Sequence, residues 1–407
     1  MAAEVARRFA APIPLFATAL FCIVESGPAA AEPADLPAAA TPLVAAPKPP
    51  GWYDRLSIRG YTQVRYNQVA VSNENFVNAQ GDKSIGGKNG FFIRRARLIL
   101  SGDVHERLSV YLQPDFASAI GDQLNVTILR DWYADVFLTD DKTLRVRVGQ
   151  SKVPFGFENM QSSSNRLALD RADGLNSAVK DERDIGAFLY WSPTEARKRF
   201  KHLVDSGLKG SGDYGVLALG VFNGQTNNAL ERNRTPHTVA RATWPFLFGD
   251  QFVELSAGGY AGEFVVKRDK GVGGQYAVTD ARAHATLVVY PQPLGFQAEY
   301  NVGVGPQLSS DGKVINERLL SGGYAQVMWR AGSVMPFIKA QHYKGARKHE
   351  TNAPQYEMQE FEFGVEWQVH KALELVGEYT VSKRSSPIKP YAQESGQLGR
   401  VQLQFNY

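Results

Sequence analysis

The last seven residues, Val401-Gln-Leu-Gln-Phe-Asn-Tyr407, alternate apolar and polar side chains without a break. In an extended strand successive side chains point to opposite faces, so Val401, Leu403, Phe405 and Tyr407 form one face and Gln402, Gln404 and Asn406 the other. An apolar face backed by an uncharged polar one can separate hydrocarbon from water. Ending on an aromatic, the segment matches the closing strand of a transmembrane β-barrel, whose aromatic girdle sits at the lipid boundary. The same residues would also serve as a half-buried strand of a soluble sheet, so the rest of the chain must decide.

A chain of 407 residues is long enough for two or three soluble domains or for one large all-β barrel. Charged residues make up 21%, and beyond the N-terminal segment no run approaches the ~18 apolar residues that a spanning helix requires. A helical membrane protein is excluded. An outer-membrane barrel stays open, because its strands are only half apolar and its loops are hydrated.

At the N-terminus Arg7 and Arg8 precede an apolar stretch over 9–24 and small residues ending Ala29-Ala-Ala31. This is the layout of a secretory signal peptide over 1–31, although Pro12 and Pro14 interrupt its apolar part. The only cysteine, Cys22, falls inside it, and Phe21 stands where a lipoprotein signal has a small residue. The exported chain would then carry no thiol, which rules out disulfides and thiolate metal sites. Residues 32–51 are rich in Ala and Pro, cannot form a core, and read as a periplasmic tether. The barrel domain is expected over 52–407, starting at Trp52, an aromatic suited to the membrane interface.

Period-two segments of about ten residues bounded by turn formers begin near Ser57, Phe92, Leu108, Asn125, Thr143, Asp184, Tyr214, His237, Gln251, Tyr276, Leu294, Glu317, Val334, Met358, Ala372 and Gln397. That makes about 16 antiparallel strands, an even number, as bacterial single-chain barrels require. The connectors alternate too. Those at 139–142, 248–250, 291–293, 331–333 and 370–371 are tight, whereas 69–90, 151–183, 224–235, 265–274, 305–314, 344–356 and 383–396 are long and rich in Gly, Asn, Ser and Lys. Soluble sandwiches have no reason to alternate so regularly. One connector breaks the rule: 193–212, with Glu195-Ala-Arg-Lys-Arg-Phe-Lys-His202, is long where a short turn is due. It reads as a basic insertion that could conceal a further strand.

On the segment from Met358, the residues Phe361, Phe363, Val365, Trp367 and Val369 share one parity, and Glu360, Glu362, Glu366 and Gln368 the other. A charge facing lipid at the bilayer midplane costs roughly 2–4 kcal/mol, so the charged parity faces water. Arg94 and Arg130 fall on the apolar parity, which requires a rim position or a local bulge. Trp132, Trp191, Trp244, Trp329 and Trp367 suit interfacial belts, though each could also sit in a soluble core.

Basic residues of the inward parity cluster in the first third of the domain. Arg59 and Arg65, Arg95 and Arg97, and Arg145 and Arg147 form pairs along single strands, stacked at about 7 Å for next-but-one neighbours. Such columns attract anions, and guanidinium groups offer planar paired donors to phosphate or carboxylate. Alternatively, these arginines pair with Asp103, Asp115, Asp131 and Asp135 and stiffen the wall. The longest connector, 151–183, carries Lys152, Arg166, Arg171, Lys180 and Arg183. Folded inward it would narrow a wide aqueous channel; extended outward it would be a surface loop.

Gly60-Tyr-Thr-Gln-Val-Arg-Tyr66, Phe92-Ile-Arg-Arg-Ala-Arg-Leu98 with Ser101-Gly102, Tyr111-Leu-Gln-Pro-Asp-Phe116, Val148-Gly-Gln-Ser-Lys-Val-Pro-Phe-Gly156, Arg183-Asp-Ile-Gly186 and Gly220-Val-Phe-Asn-Gly224 occur in that order. Together with the closing strand they resemble the phosphate-selective porin O and P family of Gram-negative outer membranes. The resemblance implies a homotrimer of sixteen-stranded barrels in outer-membrane lipid, a third loop folded into each lumen, and passive diffusion of small anions, phosphate-like in character. By likeness Arg95, Arg97 and Lys152 are the matched basic positions. Glu254, Glu299, Glu360, Glu362, Glu366, Glu374 and Glu378 add negative charge to the far wall, so a general porin with little or no anion preference is the alternative.

Other classes find little support. There is no His-Glu-x-x-His, and in Gly81-Asp-Lys-Ser-Ile-Gly-Gly-Lys88 the next residue is Asn89 where a phosphate-binding loop needs Ser or Thr. An outer-membrane hydrolase on a barrel scaffold would need a nucleophile beside a His, and His284 with Thr286 is the nearest pairing. The sequence asks for no catalytic residue, cofactor or metal, and for no nucleic-acid partner.

Overall fold

Strands with one apolar face can cross hydrocarbon only if every backbone donor and acceptor is paired, which requires a sheet that closes on itself. The structure, a computed structural model, describes residues 51–73, 89–120, 123–178, 183–386 and 392–407. Its sixteen long strands are β1 (Leu56–Ser72), β2 (Gly90–His105), β3 (Leu108–Ile120), β4 (Gln123–Phe137), β5 (Leu144–Lys152), β6 (Arg183–Trp191), β7 (Leu217–Phe222), β8 (His237–Phe248), β9 (Gln251–Phe264), β10 (Val278–Val289), β11 (Leu294–Leu308), β12 (Val314–Trp329), β13 (Val334–Ala346), β14 (Gln355–His370), β15 (Leu373–Ser386) and β16 (Ala392–Asn406). Each pairs antiparallel with the next in chain order. β1 also pairs with β16, so Tyr61 lies opposite both Asn406 and Arg97, and the cylinder is closed. A further two-residue strand, Gly273–Gly274, sits in the connector after β9 and pairs parallel with the start of β12.

Burial follows the two-residue period. On β14, Phe361, Phe363, Val365, Trp367 and Val369 are exposed while Glu360, Glu362 and Glu366 are buried, the inversion expected when hydrocarbon is the outer solvent. On β16, Val401 and Phe405 are exposed, as is Tyr407 just beyond it, while Arg400, Gln402 and Gln404 are buried. Trp191, Trp329 and Trp367 are exposed near the ends of their strands, and Trp132 is exposed within β4. Trp244 instead packs against Ala196, Phe200 and Val216.

Two arginines off the expected parity mark two bulges. Gln63 pairs with Arg95 but Val64 pairs with Ile93, so Arg94 is the extra residue of β2. Gln113 pairs with Asp131 but Pro114 with Leu129, so Arg130 is the extra residue of β4. Proline has no N–H to give the ladder, which makes the position opposite Pro114 a natural place for the slip. The bulges turn both arginines to carboxylates: Arg94 reaches Asp170 at 3.3 Å and Arg130 reaches Asp115 at 3.4 Å. Of the two explanations for their parity, the bulge holds.

Connectors at one end are short: 106–107, 138–143, 249–250, 290–293, 330–333 and 371–372. The other end carries longer ones, except that β3 and β4 leave only 121–122 between them. The exceptional segment 193–212 conceals no strand. It forms helix α2 (Thr194–Asp205), which follows the short helix α1 (Asp173–Ala178) of the β5–β6 connector. The expected signal peptide, all of the tether but Gly51, and the Gly81–Lys88 motif lie outside the described residues.

Candidate pore site

The inward faces of β1, β2, β5 and the β5–β6 connector bring together the basic residues singled out from sequence. Arg59 is exposed toward the turn end, where with Arg97, Arg147, Lys152 and Arg183 it lines a cavity of about 770 Å³. Arg65 is fully buried: it donates to Asp170 at 2.8 Å, to the Gln402 amide oxygen at 2.9 and 3.1 Å, and to the Leu169 carbonyl at 3.1 Å. Arg97 donates to Asp115 at 2.8 Å, to Tyr61 at 2.8 Å and to Ser163 at 2.9 Å. Arg145 pairs with Asp213 at 3.0 Å. Arg147 makes two parallel bonds to Asp135, at 2.7 and 2.8 Å, with its guanidinium 3.7 Å from the Tyr133 ring centroid. Planar paired recognition of this kind is what guanidinium does best. Arg65, Arg97, Arg145 and Arg147 are therefore engaged with carboxylates, as Arg183 is with Asp131. Asp103 pairs instead with Lys142.

Three cations stand apart. Arg95 donates to the neutral amide oxygen of Gln63 at 2.7 Å. Lys152 donates to the carbonyls of Met160 and Gln161 at 2.8 and 2.6 Å. Arg166 is 6% exposed, and among the described residues all three of its guanidinium nitrogens lack a hydrogen-bond partner. None of the three forms an ion pair among the described residues. Arg171 is buried within electrostatic reach of Arg166 and Arg95.

Two carboxylates and one amide of the opposite wall hold the backbone of the β5–β6 connector. Glu299 on β11 accepts the backbone N–H of Phe157 at 2.8 Å and of Glu158 at 3.1 Å. Glu378 on β15 accepts the N–H of Leu169 at 2.9 Å and pairs with Arg400. The Gln341 side chain on β13 accepts the N–H of Asp173 at 2.9 Å and donates to Glu360 and Glu362 at 2.8 and 2.7 Å. Lys339 pairs with Glu158 at 2.8 Å. Unpaired backbone donors are costly to bury, and these acceptors satisfy four of them. Asp170 sits among Arg65, Arg94 and Arg400, at 2.8, 3.3 and 2.9 Å. Burial alone would raise its carboxyl, but Arg65, Arg94, Arg400 and Arg95 hold it well below the usual carboxylate range.

Sequence reasoning missed Asp170, Glu158, Lys339 and Arg400 as site residues. Arg400 had a usable signal, since it shares the polar parity of Gln402 and Gln404 on the closing strand. Asp170 and Glu158 lie in an irregular connector, where no period assigns direction. His284 and Thr286 are 3.4 Å apart, and the His284 ring packs edge-on against Phe155.

The sequence profile described as "phosphate-selective porin O and P" matches residues 66–271 and 267–407. No curated protein sequence matches the chain. Among solved structures, the outer membrane channel DcaP of Acinetobacter baumannii is 12% identical with a TM-score of 0.53, over 86% of this chain and 97% of that one. The anion-selective porin of Comamonas acidovorans is 11% identical with a TM-score of 0.54, over 86% and 99%. The trimer form of OmpT of Vibrio cholerae is 10% identical with a TM-score of 0.51, over 86% and 99%. At such identities the likeness concerns the fold.

Proposed function

The chain belongs to the phosphate-selective porin O and P family and is a β-barrel porin of the outer membrane, and from that premise we propose that it passes small anions along the basic side of its bore. The observation that carries the reading is Arg166: a buried guanidinium without a hydrogen-bond partner among the described residues, flanked by Arg95 and Lys152, whose bonds among those residues go to neutral oxygens. Glu158 and Asp170 lie within electrostatic reach of Arg166 but make no hydrogen bond to it, and buried donors left unbonded are costly unless an acceptor visits them. The acidic wall does not cancel this excess. Glu299 and Glu378 are taken up in holding the segment 153–178, which in this reading is an inward-folded third loop forming the constriction. The paired arginines, Arg65, Arg97, Arg145 and Arg147, then shape the wall, and Arg59 and Arg171 extend the positive field to either side. Selectivity follows such local charge rather than the formal net charge of +4. The same reading expects a homotrimer and an N-terminal export signal followed by a tether.

The test is a planar-bilayer recording under a salt gradient, with phosphate added to a chloride-carried current. Anion preference predicts a reversal potential of the anion-selective sign and a phosphate block that weakens in Arg95→Ala and Arg166→Gln. A cation-selective sign would reject the preference and leave a general porin.

A further inference from the structure

The β6–β7 connector is the odd member of the periplasmic turns, and it does not hang free below the barrel. Its polar contacts run along the rim and then inward. Arg197 on α2 donates to the carbonyls of Asp141 and Lys142 at 2.9 and 3.1 Å, and Arg199 to that of Pro245 at 3.0 Å. Ala196 and Phe200 pack with Val216 and Trp244. Leu203 and Leu208 join Phe252, Val288 and Tyr290 of the wall and Phe157 of the third loop. The chain then reverses through Gly207, Lys209, Gly212 and Gly215, all at positive φ. At this reversal the Lys209 carbonyl accepts from Gln161 at 2.5 Å and the Gly210 carbonyl from Asn165 at 2.7 Å, so the connector meets the third loop directly. Lys209 itself, 5% exposed, donates to both oxygens of Glu366 at 2.5 and 2.6 Å.

Glu366 lies on β14, eight strands from β6 in a ring of sixteen, which is the far side of the bore. The Lys209–Glu366 pair thus spans the barrel. Burial would drive Lys209 toward its neutral form, but Glu366 and Glu374 outweigh it and raise its pKa. On the other side of the connector, Asp205, Gly210, Ser211, Gly212 and Asp213 line the 770 Å³ cavity that also contains Arg59, Arg97, Arg147, Lys152 and Arg183. Glu254, Glu366 and Glu374 are not among the residues lining that cavity.

We infer that the β6–β7 connector is a strap across the periplasmic half of the bore: latched to Glu366, it covers the acidic side and confines the exit to the basic side, acting as a second, specificity-determining constriction in series with the third loop. The inference rests on the porin reading. Its conductance and size arms do not depend on anion preference, so its failure is distinguishable from failure of that preference.

The experiment replaces residues 195–211 with a short turn and records single channels beside the full chain. A strap that covers part of the exit predicts a conductance rise of about twofold or more, entry of larger uncharged sugars in liposome swelling, and a reversal potential shifted toward the cation-selective side. Unchanged conductance and unchanged sugar cut-off in a correctly folded deletion variant would overturn it. Because a deletion can fail to fold, Lys209→Glu, Glu366→Lys and the double exchange provide a second route. Each single variant should raise conductance or open-channel noise, and the double exchange should restore the parent trace. If neither single variant changes the trace, the latch does not exist.

Discussion

Asp170 and Arg400 form a 2.9 Å ion pair across 230 residues of sequence, and the same carboxylate holds Arg65 at 2.8 Å. Arg65 lies on β1 and Arg400 on β16, the two strands whose pairing closes the cylinder. One loop carboxylate therefore clamps both sides of the closing seam and ties the third loop to it.

Asp170→Asn should undo that clamp. It removes from Arg65 and Arg400 the buried carboxylate they share, leaving Glu378 facing Arg400, and breaking a buried pair from one side costs about 3–5 kcal/mol. The expected results are a lower temperature for the folded-to-unfolded mobility shift on gels and a higher, noisier single-channel conductance. Parental mobility and a parental trace would remove Asp170 from the closure.

The clamp should also set an acid limit. A carboxyl depressed in the folded chain contributes fully above its unfolded pKa of about 3.9 and loses that contribution as pH falls through its folded value. Asp170 is held well below the usual range, so its contribution should be flat from pH 7 down to about 4 and decline only below that. Conductance and thermal midpoint recorded from pH 7 to 3 check this. A loosening between pH 7 and 5 that Asp170→Asn abolishes would contradict the assignment.

Arg166 and Arg147 should respond oppositely to the same change. Arg147→Gln breaks two hydrogen bonds to Asp135, leaves that carboxylate without one of its partners, and should cost about 3 kcal/mol. Arg166→Gln removes a buried charge with no hydrogen-bond partner among the described residues, so stability should hold or rise while anion preference falls. Thermal melts paired with reversal potentials separate the two. Equal destabilisation by both variants would mean that Arg166 is a wall residue like Arg147.

What was legible in the sequence was whatever has a period. The alternation on 360–369 and 401–407 gave the correct faces, and each expected strand start falls within five residues of an observed one. Arg94 and Arg130 were visible as violations of that period, and each proves to be the extra residue of a bulge. The loop was different. Asp170, Glu158 and Ser163 reach strands far from their own, and nothing in a connector's sequence specifies which distant side chain it will meet. The basic run 195–202 stood out as an insertion that could conceal a strand, and it proves to be α2; that Lys209 behind it would pair with Glu366 had no sequence signal, since that contact depends on the closed ring.

Gly156 supplies the sharpest test of how the third loop is held. Its φ is +75°, a conformation in which a side chain costs roughly 1–2 kcal/mol, and an added Cβ would come 2.2 Å from a carboxylate oxygen of Glu299. The other oxygen of the same carboxylate accepts the N–H groups of Phe157 and Glu158, so a carboxylate pushed aside by the Cβ would strain both of those bonds. Gly156→Ala should therefore act on the loop rather than on the barrel. Strand content by far-ultraviolet circular dichroism should be unchanged, while conductance rises and cleavage of the third loop by added protease becomes detectable. Glu299→Gln keeps the shape but weakens acceptance of the two N–H bonds, and should shift both readouts in the same direction by less. An unaltered channel in both variants would show that the loop is held without the Glu299 contact.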